Sequence, residues 1–158
     1  MKKVMILILA FSFLLTLTAC GNKNNVEEQE TSYSFYGGND CFTISNGLIT
    51  LSEVEDVLEG GDLLILQPDL YADVVSVKTT FYLLKGEEKD LIMSNSVVYQ
   101  EVDSFSVEDK LGTIAGPGLI SKKIENMDEL KEKLWFELET IEANGEKNTQ
   151  QLQLIVTE

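Results

Sequence analysis

The residue types in this sequence restrict which reactions it could catalyse. Its 158 residues include 27 Asp and Glu, two Cys and no His. Without His, neither a Ser-His-Asp triad, a Cys-His pair nor a His-ligated zinc site can form. Paired carboxylates remain, and such pairs hydrolyse glycosidic bonds. A carboxylate-dependent envelope hydrolase is therefore the enzymatic alternative, but so many acids make chance pairs inevitable, and a solvated acidic face is the favoured interpretation.

Acidic side chains are densest shortly after residue 52. Five lie within ten positions, and they are Glu53, Glu55, Asp56, Glu59 and Asp62. Hard oxygen ligands suit Ca²⁺, although the spacing does not match an EF-hand loop. We expect no cofactor, with calcium at this acidic stretch as the weaker alternative.

The N-terminus has the three parts of a signal peptide: a basic start, an apolar middle and a small-residue cleavage site. Two lysines precede an uncharged apolar run, which ends at Leu17-Thr18-Ala19-Cys20. This motif resembles a bacterial lipobox, in which the Cys thiol is diacylglyceryl-modified and the chain is cut just before it. The resemblance implies Cys20 as the lipidation site. An uncut membrane span is the alternative, but residues 4–19 are shorter than the ~20 that a span needs.

The charge of the chain excludes one class of partner. Removing residues 1–19 removes two lysines and no acid, which leaves 10 Lys against 27 Asp and Glu and a net charge of −17. Such a surface repels nucleic acids and anionic lipid headgroups. We therefore expect no nucleic-acid partner, and contact with the membrane through the N-terminal lipid alone.

The second cysteine, Cys41, has no partner once Cys20 carries lipid, so the mature chain can form no internal disulfide. A lone Cys is usually a small buried hydrophobe. Burial is favoured over a reactive thiol, because no Lys or His adjoins Cys41 to stabilise a thiolate.

Aromatic residues form a third group with binding chemistry. A stacking surface for sugar would use amphipathic rings, and the candidates are Tyr33, Tyr36, Tyr82, Tyr99 and Trp135. The alternative places the Tyr rings at the margins of a Phe-rich core. Trp135 shares a strand face with Glu137 and Glu139, so it is either covered by a second layer, which we favour, or exposed to a partner.

These residues are positioned by one domain. Residues 1–19 are the predicted signal peptide, and residues 20–31 form a polar, lipidated tether without an apolar period. Residues 32–158 suffice for a single domain with a core. The mature chain would lie on the extracytoplasmic face of the cell membrane.

Strand patterns dominate the domain. Short β-rich runs alternate with turns, and residues 134–139 and 151–156 alternate apolar and polar side chains about Asn144-Gly145. Hairpin turns are predicted at residues 45–47 and 144–145, and short connecting helices after Ser52 and Asn126, where capping-box sequences occur. The pattern predicts an antiparallel immunoglobulin-like β-sandwich, with a partly open β-barrel as the alternative.

A family resemblance follows from three features: the lipobox, the short polar tether and the opening run Phe35-Tyr36-Gly37-Gly38-Asn39-Asp40-Cys41-Phe42. Together with the closing hairpin at residues 134–154, they resemble small uncharacterised lipoproteins of Gram-positive bacteria. That family brings no known activity or site residues, so none are carried over.

The favoured function is a non-enzymatic module at the cell surface that binds a protein or a cell-wall component. Besides the hydrolase or an accessory subunit of one, an immunoglobulin-like proteinase inhibitor is a third hypothesis, although no loop motif supports it.

Overall fold

A computed structural model describes residues 30–99, 114, 118–120, 124 and 127–158. Within these residues the chain forms ten β-strands, one short α-helix and one short 3₁₀ helix. The first strand begins at Thr31, one residue before the predicted start of the domain. The predicted signal peptide, Cys20 and most of the tether lie outside the described residues.

The strands form two antiparallel sheets. In sheet A the strand order is β10-β1-β2-β3-β7, and β4 also pairs with β2. Its strands are β1 (Thr31–Gly38), β2 (Phe42–Leu51), β3 (Val57–Glu59), β4 (Asp62–Ile65), β7 (Gly118–Leu119) and β10 (Ile155–Thr157). In sheet B the order is β6-β5-β8-β9, formed by β5 (Val74–Lys85), β6 (Glu88–Val98), β8 (Leu134–Glu142) and β9 (Lys147–Gln153).

The two sheets pack face to face around a Phe-rich core. Phe35 on β1 lies 5.6 Å from Phe81 on β5, and Phe42 on β2 lies 5.7 Å from Phe136 on β8, between ring centroids. Phe81 and Phe136 lie 5.1 Å apart, which joins the two contacts into one cluster. All four rings are fully buried. Because both contacts join opposite sheets and the sheets do not close, the predicted β-sandwich is confirmed and the barrel alternative is wrong.

The predicted hairpin at residues 45–47 is wrong, because β2 runs unbroken through it. Asn46 adopts φ 56°, and the pairing with β1 shifts from Phe35↔Gly47 to Gly37↔Ile44. This is a β-bulge, in which one extra residue is absorbed without reversing the strand. Gly47 is needed here because a Cβ at this position would overlap the Phe35 ring.

The predicted helix after Ser52 is also wrong. The Ser52 hydroxyl accepts hydrogen bonds from the Val54 and Glu55 N–H groups and donates to the Glu55 carbonyl. These bonds close a turn, and Val57 already pairs with Thr50 as β3. The second predicted helix is confirmed as α1 (Met127–Lys131), whereas the 3₁₀ helix at Pro68–Tyr71 was not predicted.

The predicted C-terminal hairpin is confirmed. β8 and β9 pair from Trp135↔Gln153 to Ile141↔Lys147, and Gly145 in the turn has φ 84°. After Gln153 the chain leaves sheet B. Leu154 is buried, and Ile155 pairs with Tyr36 in sheet A. One continuous segment therefore belongs to both sheets.

Candidate functional site

The lipobox lies before the described part of the chain. Leu17, Thr18, Ala19 and the lipidation site Cys20 belong to residues 1–29, so their role stays a prediction.

Asp56 is the one buried carboxylate of the acidic stretch, at 4% exposure. Its Oδ1 accepts from the Ser52 N–H at 3.2 Å, and its Oδ2 accepts from the Ile124 N–H at 2.7 Å. The Asp56 carbonyl accepts from the Ile120 N–H at 2.9 Å. A buried carboxylate is stable when N–H donors satisfy it in this way. Asp56 therefore ties the residues after β7 to the turn before β3.

The other four acids of the stretch do not gather around Asp56. Glu53, Glu55 and Glu59 are exposed, and the carboxylate of Asp62 accepts a hydrogen bond from Asn46 Nδ2 at 2.7 Å. Across the described part of the chain, no group of three or more Asp, Glu, Cys or His side chains is arranged to hold a metal ion. The described geometry thus gives the acidic stretch a structural role at Asp56 and a solvated surface elsewhere.

Cys41 is half-buried and packs against the core, which is less burial than the sequence predicted. Its N–H donates to Asn39 Oδ1 at 2.8 Å. Tyr71 lies nearby, and the pKa of its phenol is raised, first by burial and then by the electrostatic influence of the Cys41 side chain, while the Gln150 side chain lowers it. The surroundings of the thiol are therefore mainly those of a packing residue.

The five aromatic candidates separate into three environments. Tyr33 and Tyr99 are half-buried against the core. Tyr36, at 46% exposure, lies on the outer side of sheet A. Tyr82 and Trp135 are directly opposite each other on β5 and β8. Of the sugar-stacking surface considered from the sequence, the structure thus brings only Tyr82 and Trp135 together.

Trp135 lies on the outer side of sheet B. Along β8 the buried residues Leu134, Phe136 and Leu138 alternate with partly exposed ones, as the period of two requires. Trp135 is half-buried, with Tyr82 beside it on β5 and Gln153 beside it on β9. The predicted cover over this ring is therefore partial.

Tyr82 is buried although it faces away from the sandwich core, since it is only 1% exposed and is not part of the core cluster. Lys89 Nζ lies 4.7 Å from the centre of its ring. A cation over an aromatic face is attracted by the ring quadrupole. The pKa of the Tyr82 phenol is raised, because the effect of burial exceeds the lowering effect of the Lys89 charge. Tyr82 and Lys89 thus form a small, ordered layer outside the main core.

Glu137 organises the polar part of this surface. Its Oε2 forms an ion pair with Lys89 and accepts a hydrogen bond from Gln151 Nε2 at 2.7 Å. Burial alone would raise the pKa of Glu137, but the hydrogen bonds from Lys89 and Gln151, with the charges of Lys89 and Lys78, outweigh it and lower the pKa. The same bond raises the pKa of Lys89. Both groups are therefore charged at neutral pH.

We name this surface the Trp135 face and define it by Tyr82, Lys89, Trp135, Glu137 and Gln151. Further contacts surround it. Lys147 pairs with Glu139 at 2.7 Å, the Thr80 and Ser94 hydroxyls are 3.2 Å apart, and Gln153 Nε2 donates to the Glu132 carbonyl at 3.0 Å. The polar side chains around the Trp135 face are therefore engaged in contacts with one another or with the backbone.

The environment of Glu137 does not favour its acting as a general acid. A glycosidase general acid needs a carboxyl whose pKa is raised, whereas the pKa of Glu137 is lowered. The face instead offers an aromatic ring next to an ionised acceptor and two donors.

Sequence reasoning identified Trp135 and Glu137 as neighbours on one strand face but missed Lys89 and Gln151. Lys89 was missed because the pairing of β5 with β8, which brings β6 to this surface, could not be assigned from periodicity. The signal that could have found Gln151 is the closing hairpin, in which it pairs directly with Glu137.

Neither a membrane-spanning helix in the described part of the chain nor a known relative identifies a function for this surface. Within residues 30–99 and the later described positions, no helix has the length and apolar character needed to cross a membrane. No family model, no curated protein and no solved structure matches this chain.

Proposed function

We propose that this protein is an extracytoplasmic lipoprotein whose mature domain is a non-enzymatic binding module. In this proposal the lipid on Cys20 holds the chain at the cell membrane, and the Trp135 face binds a component of the cell envelope. The lipobox sequence and the signal-peptide pattern support the anchor.

The observation that carries the binding function is the pairing of Tyr82 with Trp135 beside the Lys89–Glu137–Gln151 contacts. Binding surfaces are enriched in aromatic residues, and their affinity improves when side chains are ordered beforehand. Here a buried ring, a half-buried ring and a bonded carboxylate share one side of a four-stranded sheet. This is the arrangement of a preformed contact surface.

The test measures binding of the full-length protein to envelopes from cells that lack it. The protein is kept in a polyoxyethylene detergent, which has no sugar headgroup to compete, and binding is measured by co-sedimentation. Trp135→Ala should lose most of the binding. Tyr36→Ala is the matched control, because it removes a partly exposed aromatic ring from the opposite sheet.

Two results would contradict the proposal: no binding by the native protein, or equal binding by the native protein and Trp135→Ala. Thermal unfolding checks that each variant is folded. If Trp135→Ala is destabilised, Gln151→Ala gives the same test with an exposed residue of the Trp135 face.

A further inference from the structure

We infer that the Trp135 face binds a neutral, hydroxyl-rich polysaccharide, an inference that rests on the binding function proposed above. The first argument is the shape of the aromatic group. A sugar ring presents a face of C–H groups, which packs on an aromatic ring, and an edge of hydroxyls. Trp135 is half-buried, so part of its ring is accessible on the outer side of sheet B, and the buried Tyr82 lies directly beside it on β5. Large, rigid aromatic rings supply much contact area at low entropic cost.

The second argument is the hydrogen-bonding capacity beside that ring. Lys89 and Gln151 both contact Glu137 through its Oε2. Among the described residues, no hydrogen bond engages Glu137 Oε1 or Gln151 Oε1. A hydroxyl group both donates and accepts. Two acceptor oxygens next to the Lys89 ammonium therefore match neighbouring hydroxyls on a sugar ring.

The third argument is charge. Lys89 pairs with Glu137, and Lys147 pairs with Glu139, so each of these two ion pairs is neutral, and Lys78 opposite Glu139 adds a positive charge beside them. The mature chain as a whole is strongly acidic, with 10 Lys against 27 Asp and Glu. Its field repels a polyanion, while the two carboxylates described on this side, Glu137 and Glu139, are each paired with a lysine and so attract a polycation weakly. An uncharged polymer is the ligand that neither effect excludes.

The fourth argument is the width of the surface across the strands of sheet B. The polar and aromatic groups reach from Ser94 on β6 through Thr80 and Trp135 to Gln153 on β9. Four neighbouring strands cover about 14 Å at ~4.8 Å per strand. That distance exceeds one sugar ring, so the matching ligand is a chain.

The experiment is a competition for envelope binding by the full-length protein. Three fractions of the same envelopes compete: neutral polysaccharide freed of protein and phosphate polymers, the phosphate polymers themselves, and detergent-extracted proteins. We expect only the neutral polysaccharide to displace the protein. Raising the salt concentration from about 0.05 M to about 0.5 M should leave this displacement unchanged, because no net charge is involved.

A direct measurement uses the fluorescence of Trp135, which is the sole tryptophan of the chain. Its emission should change saturably as the neutral polysaccharide is added. By calorimetry, Trp135→Ala should weaken binding at least about tenfold, and Glu137→Gln should weaken it less. Tyr36→Ala should bind like the native protein.

The outcomes separate the two proposals. If envelope binding depends on Trp135 but is displaced by the protein fraction or the phosphate polymers, the polysaccharide inference is overturned and the binding function stands. If the neutral polysaccharide neither displaces the protein nor changes the Trp135 emission, the inference is also overturned. If envelopes are not bound at all, both proposals fail.

Discussion

Glu137 accepts contacts from side chains on two other strands, Lys89 on β6 and Gln151 on β9. A carboxylate with a lowered pKa stabilises the folded state at pH values above its unfolded pKa. That stability is lost as the pH falls through the lower, folded value. For Lys89, whose pKa is raised, stability is present below the unfolded pKa and is lost as the pH rises through the folded value. The pair therefore stabilises the domain across the neutral range.

The first prediction concerns this pair. Relative to the native protein, Glu137→Gln should lower the free energy of unfolding by at most about 1 kcal/mol near pH 7, because Lys89 is 44% exposed and solvent weakens such pairs. The difference should shrink as the pH falls below about 4.3, the unfolded pKa of Glu. Urea unfolding at a series of pH values measures it. A difference that stays constant down to pH ~3 would contradict the lowered pKa of Glu137.

Gly47 gives the second prediction. A Cβ at this position would overlap the buried Phe35 ring, so Gly47→Ala should destabilise the domain by about 1–3 kcal/mol. Ser45→Ala, exposed on the same strand, is the control and should change stability by less than about 0.5 kcal/mol. In Phe35→Leu the ring is gone, so adding Gly47→Ala there should cost less than it does in the native protein. Equal costs in both backgrounds would show that Phe35 is not the cause.

At the scale of elements, side chains as well as strand pairing hold the connections between strands in place. Asp56 joins the turn after β2 to the segment after β7, through N–H groups of Ser52 and Ile124. The contact joins two residues, Ser52 and Ile124, that are themselves outside the strands.

The third prediction tests that contact. Asp56→Ala should lower the free energy of unfolding by about 3 kcal/mol, because two N–H groups lose a charged acceptor. Glu55→Ala, an exposed neighbour in the same turn, should have little effect. Thermal unfolding with and without calcium gives a further comparison. A calcium-dependent rise in the melting temperature that disappears in Asp56→Ala would instead support the calcium site considered from the sequence.

Elements with a clean period of two were predictable from the sequence. The β8–β9 hairpin follows from alternation along β8 and from the Asn144-Gly145 turn. The β2 bulge was not predictable, because Ser45-Asn46-Gly47 has the composition of a hairpin turn. The packing of Phe35 over Gly47, together with the pairing of β2 with β1, β3 and β4 on either side, favours the bulge. The turn at Ser52 was misjudged for a similar reason, since its capping bonds are shared by helices and tight turns.

At the scale of the whole molecule, the sequence predicted the β-sandwich but not how its faces differ. The closing hairpin predicted that β8 and β9 are neighbours, but alternation did not show that β5 lies on the other side of β8. To predict the Trp135 face, one would have to know the strand order β6-β5-β8-β9. This order brings together on one surface Lys89, Tyr82, Trp135 and Gln151. Because strand order depends on long-range packing, the aromatic residues alone could not identify the site.

The fourth prediction concerns the proposed anchor. Cys20→Ala should release or misprocess the protein while leaving the melting temperature of the domain unchanged, because residue 20 precedes the first strand at Thr31. Two or more acyl chains anchor firmly, and one binds only marginally. Membrane fractionation with immunoblotting measures the location and size. A Cys20→Ala protein that stays in the membrane at the processed size of the native protein would show that the anchor is not Cys20.

The shared β9–β10 segment also bears on when the fold can be completed. Phe35 and Tyr36 pair with Val156 and Ile155, so β1 gains its second neighbour only from the far end of the domain. Whenever the chain is delivered N-terminus first, by a ribosome or through a translocation channel, β1 must wait for those residues. Pairings between such distant residues form late and slowly. Sheet A can therefore be completed only after nearly the whole domain has emerged. Until then the chain remains incompletely folded and can still pass through a channel, and the domain reaches its full stability only afterwards.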